Sequence, residues 1–133
     1  MMKVIIAGGR DYKPTNNDKV ILNHLHLMHE FTEVVSGKAK GADTFGEDWA
    51  NENHIHVEPF PVDWKDMSPP CSVKYDRNGL AYNCLAGHNR NRRMAEYGDA
   101  VILFKGDRGT ANMRKLAKQY DLKILYDAGN KGR

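Results

Sequence analysis

Hydrophobic and polar positions alternate along this chain in two rhythms. Lys3–Gly8, "KVIIAG", is a continuous β-branched run that stops at glycine, the pattern of a strand covered on both faces. Asp18–Phe31 then repeats apolar residues at helical spacing, with Ile21, Leu25, Met28 and Phe31 on one stripe. Thr32–Gly37, "TEVVSG", predicts a second strand, and Ala42–His54 a helix with Phe45, Trp49 and Ala50 on one face. His56–Pro61 predicts a third strand, placed at a sheet edge by Pro59, which cannot donate to a ladder. Gly87–Gly98 returns to helical spacing, and Asp99–Phe104, "DAVILF", is the strongest strand pattern in the chain. A last helix from about Thr110 to Tyr120 presents Met113, Leu116, Ala117 and Tyr120 together, and Leu122–Tyr126 predicts a fifth strand.

Residues 62–86 carry no clean period and contain Pro69, Pro70 and Gly79, so they read as a long functional or disordered loop. Residues 1–126 form a single predicted domain, and 127–133 a flexible tail. Strands alternating with helices imply a mostly parallel five-stranded sheet with helices on both faces. Right-handed crossovers bring every strand C-terminus to one edge, where ligands of such sheets bind near the reversal of strand order.

Four segments fall at that edge: "AGGRDY" (Gly8, Gly9, Arg10, Asp11), "SGKAKGAD" (Ser36, Gly37, Lys38, Gly41, Ala42, Asp43), the loop opened by "PVDW" with Trp64, and "KGDRGT" (Gly106, Asp107, Arg108, Gly109, Thr110). The second and fourth lead straight into helices, whose N-termini favour anions. Thr110 can cap its helix or donate its hydroxyl to a phosphate oxygen. Lys38, Lys40 and Arg108 add positive charge, and Arg10 and Arg90 could reach the same edge. Glycines at strand-to-helix turns often serve geometry alone, and it is the convergence of several such loops on one edge that points to a ligand. "GDRGT" lacks the Gly-Lys-Ser/Thr ending of a P-loop, and "AGGRDY" lacks the spacing of a dinucleotide fingerprint. In "RNRR", Arg90 shares a helical face with Met94 while Arg92 points away, which assigns Arg90 to the site and Arg92 and Arg93 to the surface. Trp64, Tyr75 and Tyr82 either stack on a base or pin the long loop to the core.

Composition narrows the class without choosing a ligand. The 133 residues are 41% hydrophobic and 28% charged, with a net charge of +3, which permits an anionic ligand and does not demand nucleic acid. Cys71 and Cys84 form no metal-type pair and read as thiols of a cytoplasmic protein. No apolar run reaches the roughly 18 residues of a membrane span. The histidines, among them His24, His26, His29, His54 and His56, show no converging partners, so neither a metal nor a cofactor is expected.

Taken together, "AGGRDY", "SGKAKGAD", "PVDW", "GHNRNRRM" and "FKGDRGTANM" resemble the SLOG superfamily, in particular its small YspA-like domains of bacteria and phages, over Lys3 to about Tyr126. The resemblance implies a Rossmann-like three-layer fold that binds nucleotides or their derivatives, in domains that often self-associate. Relatives include the LOG phosphoribohydrolases and DNA-processing protein A. Against the LOG motifs, Arg90 and Met94 match the Arg-Lys-x-x-Met helix, with Asn91 where lysine is usual. Gly106, Gly109 and Thr110 match the Pro-Gly-Gly-x-Gly-Thr-x-x-Glu loop, with Asp107 at the second glycine and Met113 at the catalytic glutamate. Glycoside cleavage needs a carboxylate that methionine cannot supply.

The leading expectation is therefore a nucleotide-binding module. Phosphate would lie on Gly106–Thr110 and the Gly37–Asp43 turn, paired with Arg90, and Gly8–Asp11 would line the sugar or base. The alternatives are an N-glycosidic nucleotide hydrolase, with Asp107 as catalytic carboxylate beside Arg90 and Asp11 or Asp43 as substitutes, and a single-stranded nucleic-acid binder.

Overall fold

The computed structural model describes residues 2–130. Its elements in chain order are β1 (Met2–Ala7), α1 (Asn16–His29), β2 (Phe31–Ser36), α2 (Ala42–Glu52), β3 (His56–Pro59), β4 (Val73–Tyr75), β5 (Ala81–Asn83), α3 (Ala86–Tyr97), β6 (Ala100–Leu103), α4 (Arg108–Gln119) and β7 (Lys123–Asp127). Five strands form one sheet in the order β3-β2-β1-β6-β7, and every pairing in it is parallel. Strand order reverses between β1 and β6, and β3 with its Pro59 is an edge strand, as the sequence predicts.

The β-branched runs become central strands because helices cover both faces. Val4 and Ile6 point to one face, where Leu22 of α1 and Trp49 and Ala50 of α2 join Val34, Ile102 and Phe104. Ile5 points to the other, where Met94 of α3 and Met113 and Ala117 of α4 pack on Val35, Val101 and Leu103. This is a Rossmann-like α/β architecture, and its two apolar layers fix which helix ends approach the β1–β6 reversal.

Three expectations change. The stripe on α1 is shifted: Leu22 is fully buried and Leu25 packs on the core, whereas Met28 is exposed and Phe31 belongs to β2. Helix α1 starts with a capping box, Thr15 accepting from the Asp18 N–H and Asp18 from the Thr15 N–H. It ends early because Glu30 adopts a left-handed conformation, φ 52°, and donates its N–H to the His26 carbonyl. Residues 62–86 hold an antiparallel hairpin, β4–β5, rather than a loop throughout. At the other end, Asp127 completes β7 and is gripped by Arg114 at 2.6 and 2.8 Å, and Ala128–Asn130 form a 3-10 turn. Of the tail foreseen over 127–133, residues 131–133 lie outside the described residues.

Candidate functional site

The loops after β1 and β6 are pressed together at the strand-order reversal. The Gly9 N–H donates to the Lys105 carbonyl at 2.9 Å, and the Ala42 N–H donates to the Gly9 carbonyl at 3.2 Å. Gly41 makes that approach possible: it has φ 74°, and a Cβ there would stand 2.3 Å from the Gly9 oxygen. A Cβ on Gly106 would stand 2.0 Å from Thr110 Oγ1 and 2.7 Å from the Gly9 nitrogen, so only glycine lets the β6 loop lie this close to both.

Helix α4 begins in this crowded region. Asp107 is its N-cap, accepting from the Gly109 N–H at 3.1 Å. Capping thus belongs to Asp107 and not to Thr110. The Thr110 hydroxyl is buried and has no hydrogen-bond partner among the described residues. An orphaned hydroxyl of this kind costs about 1–3 kcal/mol, and it sits in the first turn of a twelve-residue helix.

Thr110 lines a cleft of about 750 Å³. The walls come from the loops after β1, β2, β3 and β6 and from the starts of α3 and α4. Of the residues expected at a ligand site, Gly8, Arg10, Gly37, Lys38, Asp43 and Trp64 line this cleft, as do Arg90, Asn91, Asp107, Arg108, Gly109 and Thr110. Gly9, Asp11 and Gly106 face a separate hollow of about 310 Å³, shared with Arg10 and Asp107. Ser36, Gly41 and Ala42 line neither: Ser36 is buried and donates its hydroxyl to Glu47, and Ala42 is buried behind Gly8. Ala39, Pro61 and Val62, from the segments expected at this edge, line the cleft too, as do Cys84, Gly87 and His88, which the sequence did not single out, and the buried Met94 and Met113.

The cations are not equivalent. Arg10 and Arg108 are exposed and form no ion pair among the described residues. Lys38 is paired with Glu47 at 2.9 Å. Arg90 is committed: its Nη1 donates to the carbonyls of Gly37 and Phe60, and its Nε to Asn91 Oδ1 at 2.9 Å. It clamps the C-terminal ends of β2 and β3 to α3, a different use from the phosphate pairing expected of it. Burial lowers its pKa from the usual arginine range, partly offset by the charge of Asp43. Asn91 in turn donates to Asn112 Oδ1 at 2.9 Å, tying α3 to α4.

Among the three carboxylates considered for catalysis, Asp11 faces the small hollow and Asp107 caps α4. Asp43 lies inside the main cleft and is buried, 7% exposed. Desolvation raises its pKa to about 6, against the opposing pull of the Ala39 N–H and of the Arg90 charge.

Trp64 forms the far wall. Its ring edge lies over Gly87, and Tyr82 meets it edge-on at 6.3 Å. Asn83 holds the strap that carries it. This side chain is wholly buried, accepts from the N–H groups of Ser72 and Leu85, and donates to the carbonyls of Asp66 and Pro70, while its own N–H donates to Trp64.

One histidine finds the converging partners that the sequence did not reveal. His56 Nε2 lies 2.9 Å from Glu58, and Glu33 completes a cluster within 4.8 Å on the β2–β3 edge; none of the three lines the cleft. No helix among the described residues is long and apolar enough to cross a membrane.

Residues 2–66 match the family described as YAcAr: YspA, cpYpsA-related SLOG family. No curated protein matches the chain. Among solved structures, the X-ray structure of DNA processing protein A (DprA) from Streptococcus pneumoniae superposes with a TM-score of 0.63 at 19% identity, over 92% of this chain and 48% of that one. The chain thus spans about half the length of that relative, and at this identity the likeness shows the fold alone. Residues 2–66 are thus similar to the YspA, cpYpsA-related SLOG family, and the superposed sheet shows a shared Rossmann-like fold.

Proposed function

We propose that this protein binds a nucleotide or nucleotide derivative in the main cleft, with phosphate at the start of α4. The observation that carries the reading is the Thr110 hydroxyl in the first turn of that helix, buried and without a partner among the described residues, on the wall of a cleft of about 750 Å³. A phosphate oxygen there would satisfy the hydroxyl and meet the N–H groups of the helix terminus. Arg108 and Arg10 would supply the direct charge contacts, and Arg90, held by its two carbonyls, a fixed positive field. Trp64, 41% exposed, would offer a stacking face to a base. The likeness of residues 2–66 to a SLOG family agrees with a nucleotide-related role.

The test is calorimetric titration with a panel of mono-, di- and cyclic nucleotides and ADP-ribose derivatives, followed by chromatography of each mixture. Binding that falls about tenfold or more in both Thr110→Val and Arg108→Gln, with folding intact, is the expected result. A ligand bound equally well by both variants would sink the site assignment. One feature favours a second reading, N-glycosidic hydrolysis: Asp43 is a cleft carboxyl whose pKa lies near neutrality. Free base in the chromatogram would establish it.

A further inference from the structure

The environment of Asp43 sets it apart from every other carboxylate of the cleft. It stands in the first turn of α2, buried beneath the Gly37 turn, and accepts from the Ala39 N–H at 3.3 Å, with a weaker pull from the backbone of Gly37. Arg90 acts on it through its charge but does not pair with it. Arg90 donates to the carbonyls of Gly37 and Phe60 and makes no ion pair with Asp43. Lys38 pairs with Glu47, one turn further along α2, and Ser36 donates to that same glutamate. Asp43 is thus a buried carboxyl in an anion-type cleft with no salt-bridge partner among the described residues.

The charges around it come from every wall. Arg90 faces it from α3, with Arg93 and Arg10 acting on Arg90 in turn. Glu47 opposes it from α2. Across the cleft stand Asp107 and Arg108 of the α4 start and the exposed His88 of α3.

We infer that the cleft takes up its anion together with a proton, and that the proton resides on the Asp43 carboxyl. An anion in a cleft of about 750 Å³ is separated from Asp43 by about the cleft's width, comparable with the roughly 10 Å Debye length of 0.1 M salt. Screening therefore does not hide one charge from the other, and the side chain is already shielded from water. A second negative charge beside a buried carboxylate raises the cost of its ionised form further. The protonated carboxyl removes the repulsion across the cleft. Asp43 stands close to this transition before any ligand arrives, since burial holds its pKa near 6. In this way Asp43 determines which charge balance the site accepts, and the inference rests on the reading of the cleft as an anion site.

Inorganic sulfate is the probe, because its charge does not change between pH 5 and pH 8. It is titrated calorimetrically into the whole chain across that range at constant ionic strength, in buffers of different ionisation heat. Sulfate is expected to bind about tenfold more tightly at pH 5 than at pH 8, the effect of one charge pair across the cleft. Near pH 7 the buffers should report uptake of a substantial fraction of one proton per sulfate. In Asp43→Asn the pH dependence and the proton uptake should vanish while binding stays at its tight level. His88→Gln, which removes the histidine of the cleft wall, should keep both. Sulfate binding without proton uptake, or a pH dependence lost in His88→Gln and kept in Asp43→Asn, overturns the inference while leaving the anion site standing. No sulfate binding at any pH overturns the anion site itself, and the inference with it. Proton uptake is read on the unsubstituted protein, so the result holds even if Asp43→Asn folds poorly.

Discussion

Replacing Asp43 by asparagine should make the ligand-free protein more stable, and by an amount that depends on pH. The amide keeps the shape of the carboxyl and an oxygen for the Ala39 N–H, but the change removes a buried ionisable group. The native carboxyl has a pKa of about 6 against an ordinary 3.8, so between these values the folded state binds the proton more tightly than the unfolded state. Wild-type stability therefore falls as pH rises from about 4 through about 6 and is level above that, as far as this group is concerned. The interval corresponds to about 3 kcal/mol of burial penalty on the ionised form. Urea unfolding of both proteins, followed through the buried Trp49, gives the assay. The advantage of Asp43→Asn over wild type should grow by about 2.5 kcal/mol between pH 4 and pH 7.5, because the other titrations are shared and largely cancel in the difference. Two stability profiles that run parallel within about 0.5 kcal/mol over that range would refute the claim that burial governs this carboxyl.

Other perturbations test other joints of the structure. Thr110→Val should raise the stability of the ligand-free protein by about 1 kcal/mol, since it removes a hydroxyl with no partner, and a drop of similar size in urea unfolding would show that the hydroxyl is satisfied after all. Gly106→Ala should cost about 2–4 kcal/mol, because the new methyl would lie 2.7 Å from the Gly9 nitrogen as well as on Thr110; an unchanged melting temperature would contradict the close approach of the two loops. Arg114→Gln breaks a two-pronged pair with Asp127 whose side chains are mostly buried, and should cost about 1–3 kcal/mol in denaturant unfolding at neutral pH.

The strands were legible because burial on both sides forces an uninterrupted apolar run, as in Lys3–Gly8 and Asp99–Phe104, and nothing else in the chain looks like that. The end of α1 was not, because the residue that turns the chain is Glu30 in a left-handed conformation, where a glycine would have announced the stop. Without that stop, Phe31 reads as the next member of the helical stripe and draws the stripe off Leu22. The hairpin escaped notice because β4 and β5 are three residues each and mostly exposed, so they carry no alternation. Glycine loops and cations pointed to the edge where the cleft lies, and twelve of the expected residues line it. What sequence could not reveal was how Arg90 is used. Its partners at Gly37 and Phe60 lie 53 and 30 residues away, and backbone carbonyls leave no trace in a sequence. The same holds for Asp43, whose pKa depends on how much protein covers it.

The strap that carries Trp64 is built differently from the rest of the molecule, and this has a consequence for how it opens. Its centre is the amide of Asn83, surrounded by peptide groups, while Val73, Tyr75 and Leu80 project into solvent. Detaching it would break hydrogen bonds yet newly expose little apolar surface. The free energy of such an opening should hardly respond to urea, since denaturant sensitivity follows the area exposed. Hydrogen exchange at the Ser72, Asn83 and Leu85 amides should then proceed at rates nearly flat in low urea, while the Ile5 and Val101 amides in the sheet wait for unfolding of the whole domain. One wall of the cleft would thus come and go on its own equilibrium, set by the strength of a polar knot and insensitive to the stability of the sheet beneath it.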